Sequence, residues 1–216
     1  MNKRIQWDIY EAVLLVDVYF QFQKIELERK YIVEMLSHEL RNKAINAGIK
    51  IDGVFRNTNG TNMRLYELLY IDTNGEKGMK NTSKLFKNML EMYRDCDKCF
   101  CTLCTKAYNM VENDEKTQCF LQWLESCETK QNISEIRMAL RILNYFEWKG
   151  KIPHGRLSHI TDFCVLEEIK DNVINANLLK LHLSVLDYIG KLFNTYEVFL
   201  KSNDKKKRGL VLDGKR

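Results

Sequence analysis

The chain's most concentrated chemistry lies in the run Phe55-Arg56-Asn57-Thr58-Asn59-Gly60-Thr61-Asn62-Met63-Arg64-Leu65. Asn59-Gly60 predicts a tight turn, because both residues adopt positive φ at low cost. Phe55, Met63 and Leu65 can dock that turn on a core, so that Arg56, Asn57, Asn59 and Arg64 are presented from a fixed base. An arginine fork and an amide donor–acceptor pair suit an anion or the edge of a nucleic-acid base. The same residues also fit a surface turn whose asparagines bond their own backbone. Arg56 carries a choice of its own. It can point outward to a phosphate or a guanine edge, or inward to backbone carbonyls and a carboxylate such as Asp17 or Glu11. Asp17 sits in an apolar run and needs a partner if buried. Arg56 is therefore read as the structural arginine, and contacts fall to Arg64, Asn57, Asn59 and the polar face formed by His38, Arg41, Asn42 and Lys43.

Other reactive sets are thinner. Four of the seven cysteines cluster as Cys96-x-x-Cys99-x-Cys101-x-x-Cys104. Two Cys-x-x-Cys pairs signal zinc when about a dozen residues separate them, and here only Phe100 does. On a continuous helix Cys96, Cys99 and Cys101 cannot converge on one tetrahedral ion. The cysteines are expected as small apolar packers and solvent-side thiols, with no metal and no cofactor, a metal or iron–sulfur site being the alternative. Their odd number and uneven spacing also argue against a secreted disulfide framework. The histidines His38, His154, His159 and His182 show no metal spacing. Glu-x-Lys strings at Glu28, Glu128 and Glu147 fall in helical or linker patterns, whereas a metal-dependent nuclease needs one on a strand. With no Gly-rich phosphate loop and no nucleophile elbow, no catalytic residue is expected and the chain does not read as an enzyme.

Long helical patterns must position these groups. A single proline and 10 glycines in 216 residues leave few breaks and favour an all-helical chain. Trp7 to Gln23 is apolar almost all round, as befits a helix in the middle of a core. Residues 27–36 predict a second helix. Ser37 reads as the N-cap of a third, running from His38 to Ala47 and stopped by Gly48. Two short helices meeting at a polar cap suit a helix-turn-helix-like element, with His38, Arg41, Asn42 and Lys43 on the outer face of its second helix. Two ordinary packed helices with a solvated polar face fit the same pattern. Leu65–Ile71 is short and apolar, and periodicity leaves it open between helix and strand. Asp72-Thr73-Asn74-Gly75 is a second turn, and Gly78 reads as a turn glycine or a close backbone approach. Leu85, Phe86, Met89 and Leu90 form a helical stripe, and the cysteine segment continues as helix.

The charged break Glu112–Lys116 marks the best boundary, near residues 110–117. Beyond it, stripes led by Phe120, Trp123 and Leu124, by Ile136, Ala139, Leu140, Leu143 and Phe146, and by residues 160–200 predict a small helical bundle. The loop Trp148–Arg156 holds the only proline and several basic residues, and reads as a solvated connector. The organisation expected is mainly α: a domain over residues 1–110, a bundle over 117–200 and a basic tail over 201–216. That tail carries seven Lys/Arg against Asp204 and Asp213, a surplus equal to the chain's whole net charge of +5. The remaining body is balanced, so nucleic-acid binding has to come from a local patch. The apolar run Ala12–Phe22 is too short to span a membrane and contains Asp17, and no secretory signal is visible; a soluble cytoplasmic protein is expected.

Trp7, the run Glu11–Phe20, Ser37-x-x-Leu40-Arg41, Ala44, Gly48, Phe55-Arg56-Asn57 with Asn59-Gly60, Met63-x-Leu65, Gly78 and Ser83-Lys84-Leu85 together carry a resemblance. Over residues 5–108 the chain resembles the N-terminal helical domain of bacterial HNH-endonuclease-type restriction and defence proteins. The resemblance implies a DNA-recognition or targeting role beside a nuclease; no HNH motif is present, so cleavage does not follow. The second half loosely resembles the helical DNA-clamping domain of tyrosine recombinases, through Phe120-x-x-Trp123-Leu124 and Tyr196-x-x-Phe199-Leu200, without the recombinase catalytic set. The expectation is a non-catalytic DNA-binding or targeting module of a bacterial restriction or antiphage defence system. Its partners would be duplex DNA, a nuclease or helicase protein, and a second copy of the chain. The alternative is a protein-interaction or oligomerisation module of a defence complex that makes no DNA contact.

Overall fold

The computed structural model describes residues 5–24, 29–80, 83–112, 114–126, 133–150, 155 and 183–213. The fold is mainly α, and no strand occurs among the described residues. In chain order the helices are α1 (Ile9–Lys24), α2 (Arg29–Asn46), α3 (Thr58–Asp72), α4 (Lys84–Asp95), α5 (Asp97–Val111), α6 (Glu115–Ser126), α7 (Ile133–Trp148) and α8 (Leu183–Asp213). They fall into two compact units, the first running to Glu115 and the second taking up at Lys116. None of the described helices is long and apolar enough to cross a membrane.

In the first unit α1 is the central element and packs against α2, α3, α4 and α5. Its residues Ala12–Val16 and Val18 are fully buried, which follows from a sequence apolar on every side. Each of these Val and Leu side chains contributes about 1.5–3 kcal/mol relative to exposure. Its start is fixed by a reciprocal cap. The amide of Asp8 donates to Glu11 Oε2 at 3.0 Å and the amide of Glu11 donates to Asp8 Oδ1 at 2.8 Å.

The break expected at Ser37 is absent. The helix α2 runs unbroken for 18 residues, and Ser37 is buried at its middle. There its hydroxyl donates to the carbonyl of Arg56 at 2.7 Å, a tertiary contact in place of a cap. The two helices of the expected helix-turn-helix-like element are therefore one. Gly48 does end this helix: with φ of 71°, it donates to the Ile45 carbonyl at 2.9 Å while Ile49 donates to Ala44 at 2.9 Å.

The Asn59-Gly60 turn also moves. Asn57 caps α3, its side chain accepting from the Gly60 amide, so Asn59 and Gly60 lie in the first helical turn. The chain reverses earlier, at Arg56, whose φ is 44°. Leu65–Ile71, open between helix and strand from sequence, belongs to α3. Asn74 and Gly75 close that helix at φ of 52° and 92°. Gly78 then passes so close to it that a Cβ would lie 2.3 Å from the Tyr66 carbonyl oxygen.

In the second unit Phe120, Leu121, Leu124, Ile136, Ala139, Leu140, Leu143, Phe146, Ile189, Phe193 and Tyr196 form the core. Phe120 meets Phe193 edge-on at 5.6 Å. Arg137 and Arg141 of α7 are buried with them, which the stripe pattern did not foretell. Residues 201–213, expected as a basic tail, continue α8 as helix. Pro153, His154, Arg156, His159 and His182 lie outside the described residues.

Candidate binding site at the start of the third helix

The segment 49–57 carries the chain from α2 into α3, and polar side chains hold it on both sides. Asp52 Oδ1 accepts from the amides of Val54 and Phe55 at 3.0 and 2.8 Å. Arg41 reaches across from α2, its Nη1 donating to the carbonyls of Asp52 at 3.0 Å and Phe55 at 2.5 Å. Ser37 takes the next carbonyl, that of Arg56, shared with Thr61 Oγ1 at 3.2 Å. Carbonyls drawn into a protein need such donors, and here two α2 side chains supply them.

Arg56 is the centre of this arrangement. Its Nε donates to Glu11 Oε1 at 2.9 Å and its Nη2 to Glu11 Oε2 at 2.8 Å, a two-pronged pair. Both side chains are almost wholly buried, at 6% and 4% exposure. The remaining donors go to the carbonyls of Gln6 and Ile5 at 2.8 and 3.3 Å, and the guanidinium lies 4.1 Å from the Trp7 ring and 4.6 Å from that of Phe55. Glu11 thus closes the α1 cap and neutralises Arg56 at once.

The residues expected to make outer contacts fare unequally. Arg64 was assigned to an outer partner, but its Nη1 bonds Glu67 Oε1 and Oε2 at 2.5 and 2.6 Å, and Glu67 is buried. A buried carboxylate requires a cation, and Arg64 stands three residues before it on the same helix. Lys43 is likewise engaged, with Asp8 at 2.5 Å. Arg41 braces the loop, and Asn42 Nδ2 lies 3.0 Å from His38 Nε2. Asn57 is consumed as the cap, while Asn59 is exposed. The polar face of α2 is thus largely a set of internal struts. Two sequence signals pointed this way: the Asp8-x-x-Glu11 box and the Arg64-x-x-Glu67 spacing.

What stays open is the first turn of α3. A helix leaves its first four amides without intrahelical partners. The side chain of Asn57 satisfies that of Gly60 at 2.8 Å, and the Asn57 amide itself reaches the Val54 carbonyl at 3.5 Å. The amides of Thr58 and Asn59 make no hydrogen bond among the described residues. Thr58 and Asn59 are exposed, as are Lys50, Val54, Ile45 and Ile49 on and beside the preceding loop.

The cysteine segment differs from its reading as a set of thiols. Cys96 ends α4 and caps α5, and it is disulfide-bonded to Cys99; Cys101, Cys104 and Cys119 remain thiols. Among the described residues no group of three or more His, Cys, Asp or Glu side chains could hold a metal ion. At the far end of α3, burial and the neighbouring Asp72 push the Tyr19 hydroxyl well above the usual tyrosine range. It donates to Asp72 at 2.8 Å, and Asp72 is paired in turn with Arg94 at 2.6 Å. Comparison with protein-family models, with curated proteins and with solved structures returns no match for the chain.

Proposed function

We propose that the chain is a non-catalytic DNA-binding or targeting module of a bacterial restriction or antiphage defence system, working in the cytoplasm beside a nuclease or helicase partner. The observation that carries this reading is the open first turn of α3. Two unpaired amides at a helix N-terminus favour an anion, and the exposed Asn59 amide side chain adds a donor and an acceptor. Lys50, on the loop leading into the turn, supplies an exposed cation. Arg41, Arg56 and Arg64 serve this site as its rigid base and leave the outer contacts to these groups.

The test is duplex-DNA binding followed by fluorescence anisotropy across a salt series. Affinity should fall log-linearly with salt, by about 0.9 in slope for each phosphate neutralised. Lys50→Ala should flatten that slope by about one such step, while Asn59→Ala should weaken binding with the slope kept. A complete lack of salt dependence would sink the proposal.

A second reading rests on a specific observation: Val54 is 73% exposed, and Ile45 and Ile49 beside it are also exposed. Aliphatic groups around a braced loop suit a protein partner, in which case binding responds mildly to salt and Val54→Asp abolishes it.

A further inference from the structure

We propose that Cys96 and Cys99 form a redox-active pair at the junction of α4 and α5, whose disulfide exchanges with a dithiol. Cys96 is the single residue between the two helices. It ends α4, its amide donating to the Met92 carbonyl at 3.0 Å, and it stands at the cap position of α5. Its φ of -144° and ψ of 77° are non-helical, while Cys99 lies in the first turn of α5. Their Cα atoms are 5.3 Å apart, within the span that a disulfide bridges. Cys101 and Cys104 have the same spacing but lie wholly inside α5, and they remain thiols. The break at Cys96 is what distinguishes the bonded pair. A structural staple accounts poorly for this bond. The chain entropy that a crosslink removes falls with the span it closes, and this one closes a separation of only 3 residues. Both helices already pack on α1, and Phe86, Met89, Leu90, Phe100 and Tyr108 are buried. Opening the bond leaves those contacts in place.

Access and charge set the direction of exchange. Cys99 is exposed and Cys96 half-buried, so an incoming thiolate reaches the Cys99 Sγ first. Attack there forms a bond from the incoming sulfur to Cys99 and expels Cys96 as a thiolate, which takes the electron pair of the broken S–S bond. Cys96 occupies the cap position of a 15-residue helix whose first turn no side chain caps. Free amides and the helix dipole stabilise a thiolate at that point, and a thiol of lowered pKa leaves faster. The flanking Arg94, Asp95, Asp97 and Lys98 balance in sign, so the helix terminus supplies the bias. In the second step the partner's other thiolate attacks its own sulfur in the mixed disulfide and releases Cys99 as a thiolate. The partner departs as a disulfide. Two electrons have passed to the cysteine pair, and the two protons that the dithiol gave up are left to protonate Cys96 and Cys99.

The test uses the full wild-type chain, so no variant has to fold. Under native conditions dithiothreitol should open the bond, with Cys96 and Cys99 becoming open to alkylation by peptide mapping while the helical circular dichroism signal is kept. Excess oxidised dithiothreitol should close it again. A reduced Cys-x-x-Cys peptide used in place of dithiothreitol distinguishes the source of the dithiol: reduction by both fits a protein-borne partner, and reduction by dithiothreitol alone fits a small molecule. Brief exposure to reduced glutathione, quenched with N-ethylmaleimide, should leave glutathione on Cys99 and the alkyl group on Cys96. In the reduced chain, alkylation of Cys96 by iodoacetamide should show a pH midpoint at least one unit below the free-thiol value of about 8.5. A bond that opens only on denaturation, glutathione found on Cys96, or an ordinary midpoint for Cys96 would each overturn the assignment.

Discussion

Arg56 shows which part of a side chain's role is written locally and which is not. Phe55 on one side and a capping asparagine on the other hold it near the core, and two acids in α1 were visible as partners. The structure selects Glu11, and the reason is geometric: Glu11 already faces back toward Asp8 as the cap of α1, and lies where the loop returns. Removing the arginine leaves Glu11 buried and uncompensated. Arg56→Ala should therefore lower unfolding free energy by about 3–5 kcal/mol in urea denaturation, and Arg56→Lys should recover little, since an ammonium cannot bond both oxygens and stack on Trp7. A loss under about 1 kcal/mol would show that the pair does not hold the loop. Gly78 gives a second prediction of the same grain. Its absent Cβ would meet the backbone of Tyr66 and Tyr70 at 2.3 and 2.6 Å, whereas at Gly48 nothing lies within 4 Å. Both have positive φ, so Gly48→Ala should cost about 1–2 kcal/mol from conformation alone and Gly78→Ala clearly more, as differential scanning calorimetry will show.

At the scale of elements, most helices were legible and several of their ends were not. Apolar stripes marked α4, α6 and α7, because burial on a helix repeats along the sequence, and an all-round apolar run marked α1. Ser37 misled because serine favours caps locally, while its true partner, the Arg56 carbonyl, is distant in sequence. Proline separates the two structures cleanly. At the first position of a helix capped by Ser37, His38→Pro would be tolerated; in the middle of one continuous helix it should cost about 3 kcal/mol or more and lower the helical circular dichroism signal. Asn59 tests the open turn in a way that stability alone cannot. Asn59→Asp adds a negative charge at the N-terminus of α3, which should leave stability unchanged or raise it by about 0.3–1 kcal/mol. The same charge repels a phosphate, so DNA affinity should fall while the melting temperature holds or rises. Parallel loss of both would place Asn59 in the fold rather than at the interface.

For the whole molecule, composition made the mainly α class plain, because one proline and few glycines leave little else. The site was only half visible, since its arginines and lysine are chemically suited to an outer anion, and only the folded structure shows Glu67, Asp8 and the loop carbonyls claiming them. That redistribution changes what the molecule's charge can do. With Arg41, Lys43, Arg56 and Arg64 engaged inside the first unit, the chain's surplus of positive charge resides in residues 201–216, most of which continue α8. If the chain binds DNA, the two regions should divide the work. The basic end of α8 would supply affinity indifferent to sequence, and the α3 turn would supply positioning. Deleting residues 205–216 removes six Lys/Arg and Asp213. The deletion should weaken binding to every duplex by the same factor and flatten the salt slope by about 0.9 for each phosphate that the truncated chain no longer neutralises. Asn59→Ala in the same assay should weaken binding with little change of slope, because asparagine carries no cation to exchange for a counterion. A deletion that leaves affinity and slope untouched would exclude the basic helix from the DNA and return the electrostatic burden to the exposed lysines of the first unit, Lys50 foremost.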